Sequence, residues 1–180
     1  MAQRPEFLPR IAGPIVLRRL APSDLAAFQA YRGDPLLAQY QGWSATTDAA
    51  ALSFLQTMHA ASLLQPGAWC QVGIALRDDP ELIGDIGLLL AEDGRRAEIG
   101  FTLRRAAHGR GLAAAAVRAA MGLVFEQTGA LRVEGITDAR NLPSIRLLER
   151  VGMRWTGTHD TVFKGEPCTE YTYAIARADA

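Results

Sequence analysis

Apolar positions along the first sixty residues switch between two periods. Residues 15–20 (IVLRRL) are rich in apolar and β-branched side chains and predict a strand. Ala21-Pro22-Ser23-Asp24 follows, and Ser23 has the chemistry of an N-cap for a helix that turns Leu25 and Phe28 inward. Gly33-Asp34-Pro35 breaks that helix. A second helix is expected after Thr46-Thr47, with Phe54 and Met58 at i,i+4 spacing and Leu52 and Leu55 beside them. Between the two lies Gln39-Tyr40-Gln41-Gly42-Trp43, an aromatic loop without core periodicity.

Gln65-Pro66-Gly67 closes the helical region, and the pattern then turns strand-like. Residues 69–76, 82–90 and 97–103 read as three strands, separated by turns at Asp78-Asp79-Pro80 and Glu92-Asp93-Gly94. They predict an antiparallel meander. Residues 112–128 are alanine-rich and helical, with Gly129 as the expected C′ residue. A strand at 131–137, a short helix at 143–151 closed by Gly152, and strands at 153–157 and 169–176 complete the chain. The order is β-α-α-β-β-β-α-β-α-β-β, an α+β arrangement, expected to form one domain over residues 1–180.

Composition narrows the function classes. The 180 residues are 49% apolar and 21% charged, too apolar for disorder and large enough for a core without staples. Nineteen basic residues balance nineteen acidic ones, so no global positive field points to nucleic acid. Cys70 and Cys168 lie far apart, and His59, His108 and His159 are scattered, which gives neither a disulfide framework nor a metal centre. The first ten residues are polar and proline-broken, and residues 111–125 are interrupted by Arg118, so neither a leader nor a membrane span is expected. The cytoplasm is the default location.

The stretch at 97–113 (AEIGFTLRRAAHGRGLA) carries the most chemistry. A strand runs into an arginine-containing loop, and Gly109-Arg110-Gly111 opens a helix. Glycines there allow close approach of backbone N–H groups, and a helix N-terminus carries partial positive charge, which together suit a pyrophosphate. The same glycines fit a plain turn and cap. Gly109 to Ala114 also matches the GxGxxG/A dinucleotide fingerprint, but Arg104 to His108 intervene after the strand and too little chain follows for a doubly wound sheet. A nucleotide oxidoreductase is therefore disfavoured.

On HGRGLA, and on residues 138–153 (DARNLPSIRLLERVGM), the chain resembles the Gcn5-related N-acetyltransferases (GNAT), in their RimJ/RimL-like branch. The first motif is similar to the family's pyrophosphate loop, [Q/R]-x-x-G-x-[G/A]; Ala106 stands at its first position, with Arg105 as the candidate to compensate. The resemblance implies a mixed, mostly antiparallel sheet that splays between the strand ending near Leu103 and the one beginning near Leu131. It implies acetyl-CoA as co-substrate, no metal, and direct attack by an amine in a ternary complex. Phe101, Thr102 and Leu103 are expected to face the pantetheine and acetyl group. Arg105, His108, Gly109, Arg110, Gly111, Leu112 and Ala113 are expected around the pyrophosphate.

The catalytic candidates each have a plainer alternative. Glu98 shares a strand face with Gly100 and Thr102 and is the candidate general base, or else an exposed carboxylate paired with an arginine such as Arg96. Asn141 and Ser144 suit a helix start with Pro143 in the first turn. By resemblance Asn141 contacts the cofactor arm and Ser144 protonates the departing thiolate, since no tyrosine lies between Ile145 and Gly152. His108 and His159 read as surface histidines rather than catalysts. Tyr40 and Trp43, with Phe163-Lys164-Gly165, are expected to wall the acceptor pocket. The acceptor is expected to be a peptide or protein N-terminal α-amine. A small-molecule amine (aminoglycoside or polyamine) is the alternative, drawing on Asp48, Asp160, Glu166 and Glu170 if they converge, and a non-catalytic acyl-CoA-binding regulator is the alternative of another class. Neither nucleic acid nor a membrane is an expected partner; a homodimer is open to such a domain.

Overall fold

A computed structural model describes residues 7–180, so the reading of the N-terminal ten residues falls largely outside the described part. Eight strands form one sheet in the order β1-β2-β3-β4-β5-β6-β8-β7. They are β1 (Arg10–Ala12), β2 (Ile15–Arg19), β3 (Trp69–Leu76), β4 (Asp79–Leu90), β5 (Arg96–Leu103), β6 (Arg132–Asp138), β7 (Arg154–Phe163) and β8 (Glu166–Ala176). The helices are α1 (Leu25–Arg32), α2 (Pro35–Ala38), α3 (Asp48–Ala60), α4 (Leu112–Gln127) and α5 (Leu142–Arg150). Every neighbouring pair is antiparallel except β5–β6, which is parallel. The β3–β4–β5 meander is as expected.

Alternation along the strands supplies the sheet with two apolar faces. On β4, Ile83 joins the core beneath α4 while its neighbour Leu82 joins the smaller cluster with Phe28, Tyr31, Ala51 and Leu55 of α1 and α3. On β5 the side chains of Ala97, Ile99, Phe101 and Leu103 pack toward the α4 core, which leaves Glu98, Gly100 and Thr102 on the opposite face. Four of the six alanines of α4 (Ala114, Ala116, Ala119, Ala120) are buried, so this helix seats closely on the sheet.

Several boundaries differ from the sequence reading, each for a local reason. Ser23 caps nothing: residues 22–24 form a 3-10 turn, and Asp24 turns back to accept from the Ala21 N–H and from both Arg18 guanidinium nitrogens at 2.8 Å. A carboxylate held by a guanidinium outcompetes a hydroxyl for that place. After the break at Gly33, Asp34 accepts from the Leu36 N–H and starts the short α2 with Pro35 in its first turn. Asp79 and Pro80 belong to β4, because Leu76 pairs with Asp79 across a tighter turn. Gly129 is not in the left-handed region; Thr128 ends α4 by becoming extended, with its hydroxyl donating to the Val124 carbonyl. Gly152 closes α5 as expected, at a positive φ of 95°. The longest departure is β7, which continues to Phe163 as a mostly exposed arm of a hairpin whose tip is Lys164-Gly165, both at positive φ.

Candidate active site

The site is a gap in the sheet. β5 and β6 pair over three positions, Arg96–Glu98 against Arg132–Glu134, and then part. Beyond Glu98, β5 is bonded on its β4 side alone, and β6 continues to Asp138 paired with β8. The edge of β5 from Ile99 to Leu103 therefore faces an opening, as the sequence reading placed it. One loop reaches into it: Gln41 Nε2 donates to the Phe101 carbonyl at 3.2 Å.

Because β5 and β6 are parallel, both lead into helix N-termini at the same end of the gap. The two ends are prepared differently. At α5, Asn141 is the N-cap and its side chain accepts from the Ser144 N–H at 3.4 Å, so the capping arrangement considered for this pair is present. At α4, the N-cap is Gly111, left-handed at φ 74°, with no side chain capping the helix. Gly109 precedes it at φ 73°. The first-turn N–H groups of α4 consequently point out of the helix with its positive end behind them. Arg110 is exposed beside them and has no ion pair among the described residues. This is the donor set a pyrophosphate requires. His108 is exposed and donates from its ring to the Leu103 carbonyl at 2.7 Å, bracing the loop against the end of β5. Arg105 is turned elsewhere: its Nε donates to Asp34 at 2.6 Å, tying the loop to the start of α2. Leu112 is buried and Ala113 half-buried, so at this helix start their backbone N–H groups rather than their side chains are available to a ligand.

Glu98 sits half-buried opposite Glu134 at the point where the strands part. Burial lifts its carboxyl above the ordinary carboxylate value; Arg96 opposes this, and Glu134 and Glu170 add to it. Arg96, the arginine considered as a partner for Glu98, instead ion-pairs with Glu134 at 3.3 Å. Glu134 is also held by Arg132 at 2.6 Å, and Asp138 by Arg140 at 2.7 Å. Ser144 is half-buried at the α5 end, and its hydroxyl makes no hydrogen bond among the described residues.

The aromatic candidates divide. Trp43 lies 4.3 Å over the Arg32 guanidinium, which is buried and paired with Asp85 of β4, so this ring closes a structural stack. Tyr40 lies near Arg140 at the mouth of the gap. Phe163 is at the hairpin tip, and the neighbouring Lys164 donates to the carbonyls of Ala38 and Trp43, at 2.8 and 3.0 Å. The loop and the hairpin are thus brought together through Lys164. The proposed acidic residues do not converge. Asp48 accepts from Gln29 at the start of α3, and Asp160 lies on the face of the β7–β8 hairpin opposite Glu170. Gln41 and the Tyr31–Arg32–Asp85 cluster had no signal in the apolar pattern.

A family model described as Acetyltransferase (GNAT) domain matches residues 15–154. The chain belongs to the GNAT acetyltransferase family. YoaA of Bacillus subtilis (strain 168), described as an uncharacterized N-acetyltransferase, is 30% identical over 167 residues, which is 91% of this chain and 93% of that protein. The GNAT fold recurs at lower identity in two solved structures. One is the RimL ribosomal L7/L12 alpha-N-protein acetyltransferase with coenzyme A, at TM-score 0.80 and 18% identity, covering 93% of this chain and 97% of that one. The other is the spermidine N-acetyltransferase from Vibrio cholerae with CoA and spermine, at TM-score 0.77 and 17% identity, covering 93% and 98%. As a GNAT, the protein is an N-acetyltransferase with acetyl-CoA as co-substrate, and the dinucleotide-oxidoreductase reading is set aside. Among the described residues no helix is long and apolar enough to cross a membrane.

Proposed function

We propose that the acceptor is the α-amine of a peptide or protein N-terminus. One observation carries this reading: on the acceptor side of the gap, Glu134 and Asp138 are matched by Arg96, Arg132 and Arg140. With three guanidiniums on two carboxylates, these acids have no charge left over for a polycation, which suits an acceptor with a single amine. An α-amine, with an ordinary pKa near 8, also needs less help to become neutral than a lysine near 10.4. Glu98 and Glu170, which have no ion pair among the described residues, favour a small cationic amine as the second reading.

Acetyl-CoA supplies a thioester whose carbonyl carbon takes the amine nitrogen and whose sulfur leaves. The open edge at residues 101–103 holds the arm of the co-substrate, and Gly109, Arg110, Gly111, Leu112 and Ala113 hold its phosphates, with Asn141 at the opposite lip. Glu98 accepts the proton that the nitrogen loses, directly or through one water, and passes it to solvent. Its raised pKa matches it better to an amine than an ordinary carboxylate. Ser144 protonates the departing thiolate and recovers a proton from water. Protons balance, and free thiol and amide leave.

The test is thiol release from acetyl-CoA with a lysine-free peptide. Acetylation with a free N-terminus, and none when that terminus is blocked, is the expected result. Release with polyamines or aminoglycosides alone would overturn the peptide reading and leave the family assignment standing.

A further inference from the structure

Strand pairing sorts the acceptor-side face of the sheet into rows. Gln71, Gly87 and Gly100 form one row across β3, β4 and β5. Gly73, Asp85 and Thr102 form the next, closed over by Tyr31 and Arg32 of α1. On the other side Trp69, Leu89 and Glu98 form a third row, and Trp69 is 46% exposed. The middle row therefore lies between a closed row and one holding an exposed indole and the candidate base; Gln71 and Trp69 cover it at Gly87, and it is open at Gly100.

The two glycines of the middle row differ. A Cβ on Gly87 would lie 2.5 Å from the Gln71 amide oxygen and 3.2 Å from the Trp69 ring, so its missing side chain is accounted for inside the fold. Gly100 has no such account. Its φ is not in the left-handed region, and a Cβ built on it meets no atom within 4 Å beyond its chain neighbours. A glycine inside a strand costs stability and marks close approach by something else. At Gly100 nothing within the described chain makes that approach. The residue lies on the face it shares with Glu98, two residues or about 7 Å along the strand, and next to Phe101, whose carbonyl borders the gap.

We propose that Gly100 is the specificity-determining position of the acceptor site: it opens a groove across β5, bounded by Trp69, that receives the side chain of an N-terminal residue with a large apolar or aromatic group. The inference rests on the reading that an α-amine is acetylated in this gap, and it adds the class of first residue. The bare backbone at Gly100 gives a flat floor, and the exposed face of Trp69 gives an apolar wall against which such a side chain loses water. The α-amine then lies along the strand toward Glu98.

The experiment compares two peptide amides, Phe-Gly-Ser-Gly and Ala-Gly-Ser-Gly, in the thiol-release assay with wild type, Gly100→Ala and Gly100→Leu. Wild type is expected to show a kcat/KM at least tenfold higher for the phenylalanyl peptide. The ratio is expected to fall with Gly100→Ala and invert with Gly100→Leu, while calorimetric CoA affinity stays within error and the melting temperature does not fall. Gly100→Ala guards against a folding failure in the larger variant. A wild type without preference, or a ratio that the substitutions leave unmoved, overturns the proposal. If wild type uses neither peptide but acetylates spermidine, the α-amine reading fails, and the apolar groove fails with it; if it uses the alanyl peptide better, the α-amine reading stands and the groove alone is overturned.

Discussion

At Glu98 stability and turnover respond in opposite directions to the same substitution. Burial holds its carboxyl protonated to a higher pH than usual, with Glu134 and Glu170 adding to the effect and Arg96 opposing it. A carboxylate with a raised folded-state pKa contributes stability below its ordinary value of 4.5, and that contribution is lost as pH rises through the raised one. Glu98→Gln should therefore melt higher than wild type at pH 7 and equal to it at pH 4, in thermal scans at both values. Turnover should move the other way. The substitution removes the base, so kcat at pH 7 should fall at least tenfold with CoA affinity unchanged, and the loss should shrink toward pH 9 where the amine is already neutral. A pH–rate profile parallel to wild type would assign Glu98 to structure. Ser144→Ala is the matching test at the other lip: slower turnover at unchanged CoA affinity is expected, whereas wild-type turnover would leave Ser144 as part of the Asn141 cap.

At the scale of elements, α4 and α5 show how similar helix starts serve different ends. Both follow parallel strands and both open at the gap. Asn141 satisfies part of α5 internally, while α4 begins on a left-handed glycine that offers no side chain. Gly111→Val places a β-branched residue at φ 74°, where L side chains are strained by about 1–2 kcal/mol. It also sets a side chain where backbone must meet phosphate. The expected result is a CoA dissociation constant raised tenfold or more, about 1.4 kcal/mol, with a lower melting temperature. An unchanged calorimetric affinity in the folded variant would remove α4 as the anion site.

For the whole molecule, a buried ion pair fixes how the helices sit beside the gap. Asp85 of β4 is 1% exposed and Arg32 of α1 is 5% exposed. The carboxylate accepts two bonds from Arg32, one from the Tyr31 hydroxyl and one from Gln71. Arg32 is in turn sandwiched between the rings of Phe28 and Trp43, so the aromatic loop is anchored through this pair. Removing one partner strands a buried charge, which costs about 3–5 kcal/mol. Asp85→Ala should lower stability by that order in urea unfolding, and the anchored loop should loosen with it. Lys164 holds the same loop from the hairpin side. Lys164→Ala should raise the acceptor KM several-fold with little change in CoA affinity, which steady-state kinetics would show.

The sequence by itself determined the elements that obey a strong local rule. The three-strand meander, α3 behind Thr47, α4 with its glycine opening and α5 with Asn141 and Gly152 at its ends were all legible, because alternation, capping and positive φ act over a few residues. The family was legible for the same reason, since its two motifs are local. Elements without a buried face were not. β7 beyond Gly157 is mostly exposed on both faces and becomes a strand through pairing with β8. The tertiary structure also decided who partners whom. Arg96 and Arg105, candidates for Glu98 and the anion loop, pair instead with Glu134 and Asp34, residues distant in the chain. Asp85 finds Arg32 and Tyr31 across more than fifty residues. A charged side chain settles on whichever opposite charge folding brings within hydrogen-bond reach, and no period in the chain encodes that distance. The open face at Gly100 belongs to this second kind: a glycine in a strand was visible, but the empty space above it exists once β3, β4 and β5 are side by side.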